Sequence, residues 1–269
     1  MHLTTDKIKE RIETLGNTQP WNHAFDFGNG IKTPVNTTTS FGKNVNKWER
    51  IKPVLSQLLT KTSTVLDVGS NDGFFSIRMA EMSQEVMGLD VDEHRVEKAQ
   101  FAKEILKVEN VRFEKLNILN DDEAARLKKY DFCTCLGVLH RLPDPFKLLL
   151  VLSQKSDTLI LEWKTHKGVG LEEASLYFSP ATPKPNDPYG EQFFLPSFAC
   201  VEKVLEKNGF RYFQRLNKSH SNRALLIASR RTLNLKVEKE PKLVSKLNNI
   251  KFLTKGYLRS LINIISSDR

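Results

Sequence analysis

Residues 64–75 (TVLDVGSNDGFF) constrain the fold more than any other stretch of this chain. Apolar residues run up to and past Asp67, glycines follow at Gly69 and Gly73, and a helical pattern begins at once. A strand, a tight turn and a helix start, in that order, mark the place where an open parallel sheet holds a nucleotide-like ligand. Glycine lets the backbone come close to such a ligand because no Cβ stands in the way. A dinucleotide site needs G-x-G-x-x-G to seat a pyrophosphate on the helix N-terminus. Here the spacing is Asp67-x-Gly69-x-x-x-Gly73, with no third glycine. The acid would repel a pyrophosphate and attract the ammonium of an amino-acid moiety. Asn71, inside the same turn, joins the candidate ligand contacts.

A second acid supports this reading. Residues 84–90 (QEVMGLD) read as the next strand and end in Asp90, 17 residues after Gly73. A carboxylate at that strand tip can accept hydrogen bonds from ribose hydroxyls. Either acid alone could simply cap a helix. Together, inside a β-α-β frame, they point to a cofactor. From Thr64 to Ser229 the pattern continues to alternate. Strand signals fall at 64–69, 85–90, 111–117, 131–138, 158–163, 210–216 and 223–229, with helical signals at 74–82, 93–107, 121–128, 145–154 and 197–207. This predicts an α/β fold: a doubly wound, seven-stranded, mainly parallel sheet. Residues 217–222 are too few for a crossover helix, so the last strand should run antiparallel.

At 269 residues, with 39% hydrophobic residues, the chain can bury one catalytic-size core with appendages. The expected division is 1–50 as an N-terminal helix and lid segment, 51–229 as the main domain, and 230–269 as a basic linker and amphipathic helix. Residues 165–195 interrupt the main domain on its substrate side and hold Pro180, Pro183, Pro185 and Pro188. No run approaches the roughly 18 apolar residues of a membrane span, and the charged N-terminus does not read as a secretory signal. Cys133 and Cys135 share a strand face but lack further ligands nearby in sequence, so buried thiols are expected rather than a metal site. The location expected is cytoplasmic, or peripheral at the inner face of the membrane. Of the net charge of +9, residues 211–269 supply 14 Lys or Arg against 3 Asp or Glu, leaving the first 210 residues close to neutral. A general basic footprint over the sheet is therefore not expected.

The turn at 67–73 resembles motif I of the class I S-adenosylmethionine-dependent methyltransferases. Residues 19–34 (QPWNHAFDFGNGIKTP), 47–53 (KWERIKP), 132–139 (FCTCLGVL) and 222–228 (NRALLIA) narrow the resemblance. Over about residues 8–229 the chain is similar to the tRNA wobble-uridine 5-oxyacetate methyltransferase family and its uncharacterised relatives. The resemblance implies S-adenosylmethionine held by Asp67, Gly69, Asn71, Gly73, Asp90, Asn117 and Leu136, with Asn117 meeting the adenine amino group. The wobble-uridine enzymes take carboxy-S-adenosylmethionine, whose extra carboxylate needs cationic and hydroxyl partners. The resemblance asks for a lysine just after the Pro20–Trp21 pair, where this chain has Asn22 and His23. It asks for a tyrosine where this chain has His140, and its arginine matches Arg223. The plain donor is therefore expected over the carboxylated one.

Methyl transfer needs alignment and desolvation, and an oxygen nucleophile profits from a base. His140 and Glu162, at strand ends, are the candidate catalytic residues; capping or loop contacts are the alternative role for His140. Trp21, His23, Trp48, Arg141, Tyr189 and Arg223 are the candidate substrate and lid residues, and His166 is a weaker one. Between Leu243 and Ile265 apolar residues recur at helical spacing opposite Lys251, Lys255 and Arg259. Such a helix can dock on its own domain or a second subunit, lie on an anionic membrane, or touch RNA. Three functions follow: O-methylation of a small-molecule or glycan substrate, modification of a tRNA wobble uridine, or a cofactor-binding scaffold without catalysis.

Overall fold

The computed structural model describes residues 4–35, 43–165, 173–180, 192–216 and 223–235. Four parallel strands come first: β1 (Thr64–Val68), β2 (Glu85–Asp90), β3 (Val111–Lys115) and β4 (Phe132–Leu136). They are followed by β5 (Thr158–Lys164), β6 (Leu176–Pro180), β7 (Gln192–Pro196), β8 (Tyr212–Arg215) and β9 (Arg223–Ser229). Seven of these form one sheet in the order β3-β2-β1-β4-β5-β9-β8, while β6 and β7 pair separately. β1 pairs in parallel with both β2 and β4, so the chain turns outward in both directions from it. The crevice at such a switch point is the ligand site of an open α/β sheet. β9 runs antiparallel to β5 and to β8, as the short 217–222 connection requires.

Adjacent residues of β1 serve opposite faces, which is the period-2 rule at work. Val65 joins one core with Ile12, Trp21, Trp48, Phe74 and Val86. Leu66 joins the other with Cys133, Leu148, Trp163 and Leu205. The first face is covered by α1 (Thr5–Thr18), α2 (Lys43–Leu58), α3 (Phe74–Ala80) and α4 (Glu93–Leu106). The second is covered by α5 (Asp121–Ala125), α6 (Pro145–Lys155) and α7 (Phe198–Lys207). Side chains set the helix starts: Asp92 caps α4, and Asp144 caps α6 with Pro145 in its first turn.

Several expectations change here. The boundary placed at residue 50 falls inside α2, a helix that carries Pro53 in its interior. Trp21 and Trp48 are not lid residues but core, 3% and 5% exposed, and the Trp21 indole donates to the Ile12 carbonyl. The interruption at 165–195 holds the β6–β7 pair, where Phe178 and Phe194 face each other with ring centroids 5.3 Å apart. Tyr189, His166 and the helix expected at 243–265 lie outside the described residues. Cys133 and Cys135 are fully buried, and burial pushes both thiols up. Among the described residues no helix is long and apolar enough to cross a membrane. Among them, too, no cluster of three His, Cys, Asp or Glu could hold a metal ion.

Candidate active site

A cavity of about 270 Å³ opens at the C-terminal ends of β1, β2, β3 and β4. The order of strands spreads its chemistry across the sheet. Leu116 and Ile118 line it after β3, Leu89 and Asp90 at β2, Gly69 and Asn71 after β1, and Gly137 and Val138 after β4. Arg223 opens β9, and Lys47 reaches in from α2. One end is thus apolar and the other cationic.

The turn after β1 is built for close approach. Gly69 has φ +75°, and a Cβ there would lie 2.1 Å from Val138 Cγ2. Its N–H and that of Ser70 both donate to the Leu89 carbonyl, locking the turn onto β2. Asn71 adopts the left-handed conformation and donates its N–H to Asp90 Oδ2 at 2.9 Å. Asp90 Oδ1 accepts from the Asp92 N–H, and Arg95 stands 3.9 Å away. Asp90 is 6% exposed, and burial pushes its carboxyl up despite these partners. It stays at the cavity wall with lone pairs to spare.

Asp67 does something other than the ammonium contact expected of it. Its Oδ2 accepts from Ser76 Oγ at 2.5 Å and its Oδ1 from Thr134 Oγ1 at 2.7 Å. Both oxygens are used within the fold, the residue is 2% exposed, and burial raises its pKa. Asp67 is a brace tying β1 to α3 and β4 beneath the turn. Gly73 also lies off the cavity: its φ is +84°, and a Cβ would meet the Phe113 ring at 2.7 Å and Ala99 at 2.8 Å. It lets α3 pack against α4 and β3. Asn117 is exposed, and its Oδ1 accepts from the Leu119 N–H at 3.1 Å, so Leu116 and Ile118 line the cavity in its place. Leu136 lines the cavity as expected of a contact there.

Residues 19–25 run over the turn as a strap. Asp72, fully buried, accepts the N–H groups of Asn22 and His23 at 2.6 and 3.1 Å. The Asn22 amide donates to Asn71 Oδ1. Lys98, also buried, donates to the carbonyls of Gln19 and Pro20 and sits 5.6 Å from the Trp21 ring centroid. Sequence reasoning missed both Asp72 and Lys98; an acid inside a turn and a lysine inside a helix look like ordinary surface residues. Through this strap His23 reaches the cavity wall, packed edge-on against Phe75 at 5.6 Å. Its Nδ1 is sealed from solvent. Burial first, then Lys47 and Arg95, lower its pKa to about 3, and the ring is neutral.

Asp72 carries a pH dependence. Burial raises its pKa to about 6 against the pull of Lys98. An acid raised on folding binds its proton more tightly in the native state, so stability falls as pH rises from the unfolded value through 6. The loss is about 3 kcal/mol over that window. Asp72→Asn keeps the acceptor oxygen without the charge. Denaturation at pH 3.5 and 7.5 should show wild type losing about that much relative to the variant. An equal gap at both pH values would contradict the assignment.

The proposed catalytic pair also moves. His140 sits in a 3-10 turn (Leu139–Arg141), 2% exposed and off the cavity, with its pKa lowered to about 2 mainly by burial and then by Arg223 and Arg141. A buried ring with so little proton affinity does not suit a general base. Glu162 is 2% exposed beneath Gly137, with Lys47 Nζ at 3.0 Å and Arg223 Nη1 at 3.5 Å. It holds cations rather than facing the cavity. Arg141 and Arg223 line the cavity wall.

Residues 59–242 match the model of a methyltransferase domain. The chain belongs to that family. Its fold is also that of several solved structures. The N-terminal domain of EvdMO1 with SAH bound superposes with a TM-score of 0.67 at 19% identity, covering 85% of this chain and 98% of that one. Magnesium protoporphyrin IX methyltransferase of Synechocystis PCC 6803 with bound SAM gives a TM-score of 0.52 at 22% identity, covering 86% and 100%. In sequence, the tRNA U34 carboxymethyltransferase of Actinobacillus pleuropneumoniae serotype 7 is 28% identical over 216 residues, 78% of this chain. The match spans 62% of that relative's length.

Proposed function

We propose that this methyltransferase moves a methyl group from S-adenosylmethionine to an oxygen nucleophile on a small-molecule or glycan acceptor. The residues present fit that donor. Leu116 and Ile118 offer adenine an apolar bed and Asp90 offers acceptors to the ribose hydroxyls, while the Gly69 turn lines the same cavity. When bound, the donor supplies an electrophilic methyl on a sulfonium, and the protein supplies orientation and exclusion of water.

The observation that carries the choice of plain donor is the neutral His23. The wobble-uridine resemblance asks for a lysine beside Trp21, and a neutral ring gives an extra carboxylate no charge-assisted bond. That deficit is worth about 1.5–3 kcal/mol, or roughly 10- to 100-fold in affinity. A neutral imidazole at the cavity wall can also accept a hydrogen bond from a hydroxyl, which favours an oxygen nucleophile.

The tRNA U34 carboxymethyltransferase relatives favour a second reading, transfer to a tRNA wobble uridine from the carboxylated donor. Lys47 and Arg223 at the cavity wall would then serve the donor's extra carboxylate. Calorimetric titration with the two donors side by side separates these readings. Tighter binding of S-adenosylmethionine is expected. A preference for the carboxylated donor would move the chain to the tRNA reading. Binding of a donor without turnover would leave the cofactor-binding scaffold, and binding of neither would remove all three readings.

A further inference from the structure

The cationic end of the cavity has a geometry that the methyl donor does not explain. Glu162 Oε2 lies 3.5 Å from the point where a Cβ on Gly137 would stand, and Lys47 Nζ and Arg223 Nη1 lie 3.9 Å from it. Gly137 has φ +96°, and the missing side chain leaves that point open. Arg141 joins Lys47 and Arg223 on the cavity wall. Two cations thus stand round one buried carboxylate at this end, with Arg141 on the same cavity wall. A guanidinium has five N–H donors and an ammonium three, so each can serve a ligand besides its protein partners. Arg95 belongs elsewhere, drawn to Asp92 at 3.4 Å and Asp90 at 3.9 Å.

The donor cannot balance this charge. S-adenosylmethionine brings a sulfonium and an ammonium against one carboxylate, so a loaded site is more positive than an empty one. A neutral acceptor would leave the excess standing in a partly closed cavity, where screening is weak. Resting on the methyl-transfer reading, we infer that the acceptor carries an oxyanion, a carboxylate or a phosphate, seated on Lys47, Arg141 and Arg223 beside Gly137. The same field reaches the neighbouring rings: after burial, Arg223, Arg141, Lys164 and Lys47 depress His140, and Lys47 depresses His23. Glu162 keeps Lys47 and Arg223 in place before the ligand arrives, so little ordering is left to do on binding.

The test loads the full chain with S-adenosylhomocysteine, which keeps the donor's own carboxylate, and titrates in inorganic phosphate and, separately, acetate. Saturable binding of one of them is expected, and which one binds tells phosphate from carboxylate. Lys47→Met and Arg141→Gln should each weaken it by about tenfold or more. Their affinity for S-adenosylhomocysteine reports whether the turn and strap are still formed. Two results overturn the inference while leaving methyl transfer intact: no anion binding to the loaded protein, or anions that displace S-adenosylhomocysteine, which would give these cations to the donor. Failure of S-adenosylhomocysteine itself to bind would remove the donor reading and the inference with it.

Discussion

Replacing Asp90 by alanine is expected to weaken S-adenosylmethionine binding by about 100- to 1000-fold, with the fold retained. Taking roughly 1.5–2 kcal/mol for each ribose hydroxyl bonded to a carboxylate, losing two removes two or three decades of affinity. The carboxylate is also placed in advance: Asn71 and Asp92 donate their N–H groups to its two oxygens, and Arg95 stands behind it. That cage holds it at the wall before the ligand arrives, which lowers the ordering cost of binding. Asp90→Asn keeps one acceptor oxygen and should lose only about tenfold. Calorimetric titration of the three proteins measures this ladder, with circular dichroism as the check on folding. Affinity unchanged in Asp90→Ala would mean that the ribose is held elsewhere and that the cofactor site has been misassigned.

Asp90 was legible in the sequence because everything that identifies it is local: an alternating strand, a terminal acid and a fixed distance from the glycine turn. Asp67 carries the same signal and has a different role. Which acid meets the cavity depends on what stands opposite, and Ser76 and Thr134 come from α3 and β4, 9 and 67 residues away. Depth is likewise invisible in a linear pattern. His140 ends the fourth strand region, as a substrate-facing residue would, yet the 3-10 turn buries it. The strand pattern was recovered where hydrophobic alternation is strong and lost where prolines mask it. Pro53 hid α2, and the prolines of 180–188 hid the β6–β7 pair. The charge count of the first 210 residues, close to zero, gave no hint that Lys47 and Arg141 share a cavity wall with Arg223. Lys47, Arg141 and Arg223 come from three distant elements, and only the sheet order brings them together.

A methyl group added at Gly69 tests the turn from the other side. Gly69→Ala must place its Cβ 2.1 Å from Val138 Cγ2, far inside van der Waals contact, and must hold a left-handed φ of +75°. Val has few rotamers with which to yield, and its backbone belongs to the loop leaving β4. The left-handed backbone costs an alanine about 1–2 kcal/mol, and forced overpacking adds about 1–3. A loss of stability of roughly 2–5 kcal/mol is therefore expected. Donor binding should fall with it, because relief of the clash moves the Gly69 and Ser70 N–H groups off the Leu89 carbonyl that aligns the turn with Asp90. The double variant with Val138→Ala separates the two costs. It removes the steric part and leaves the backbone strain, so denaturant titration should return part of the lost stability, about 1–3 kcal/mol. Full recovery would show that φ at position 69 is not strained by a side chain. No recovery would show that the turn moves away from Val138 and that the two strands do not confront each other at the mouth of the cavity as described.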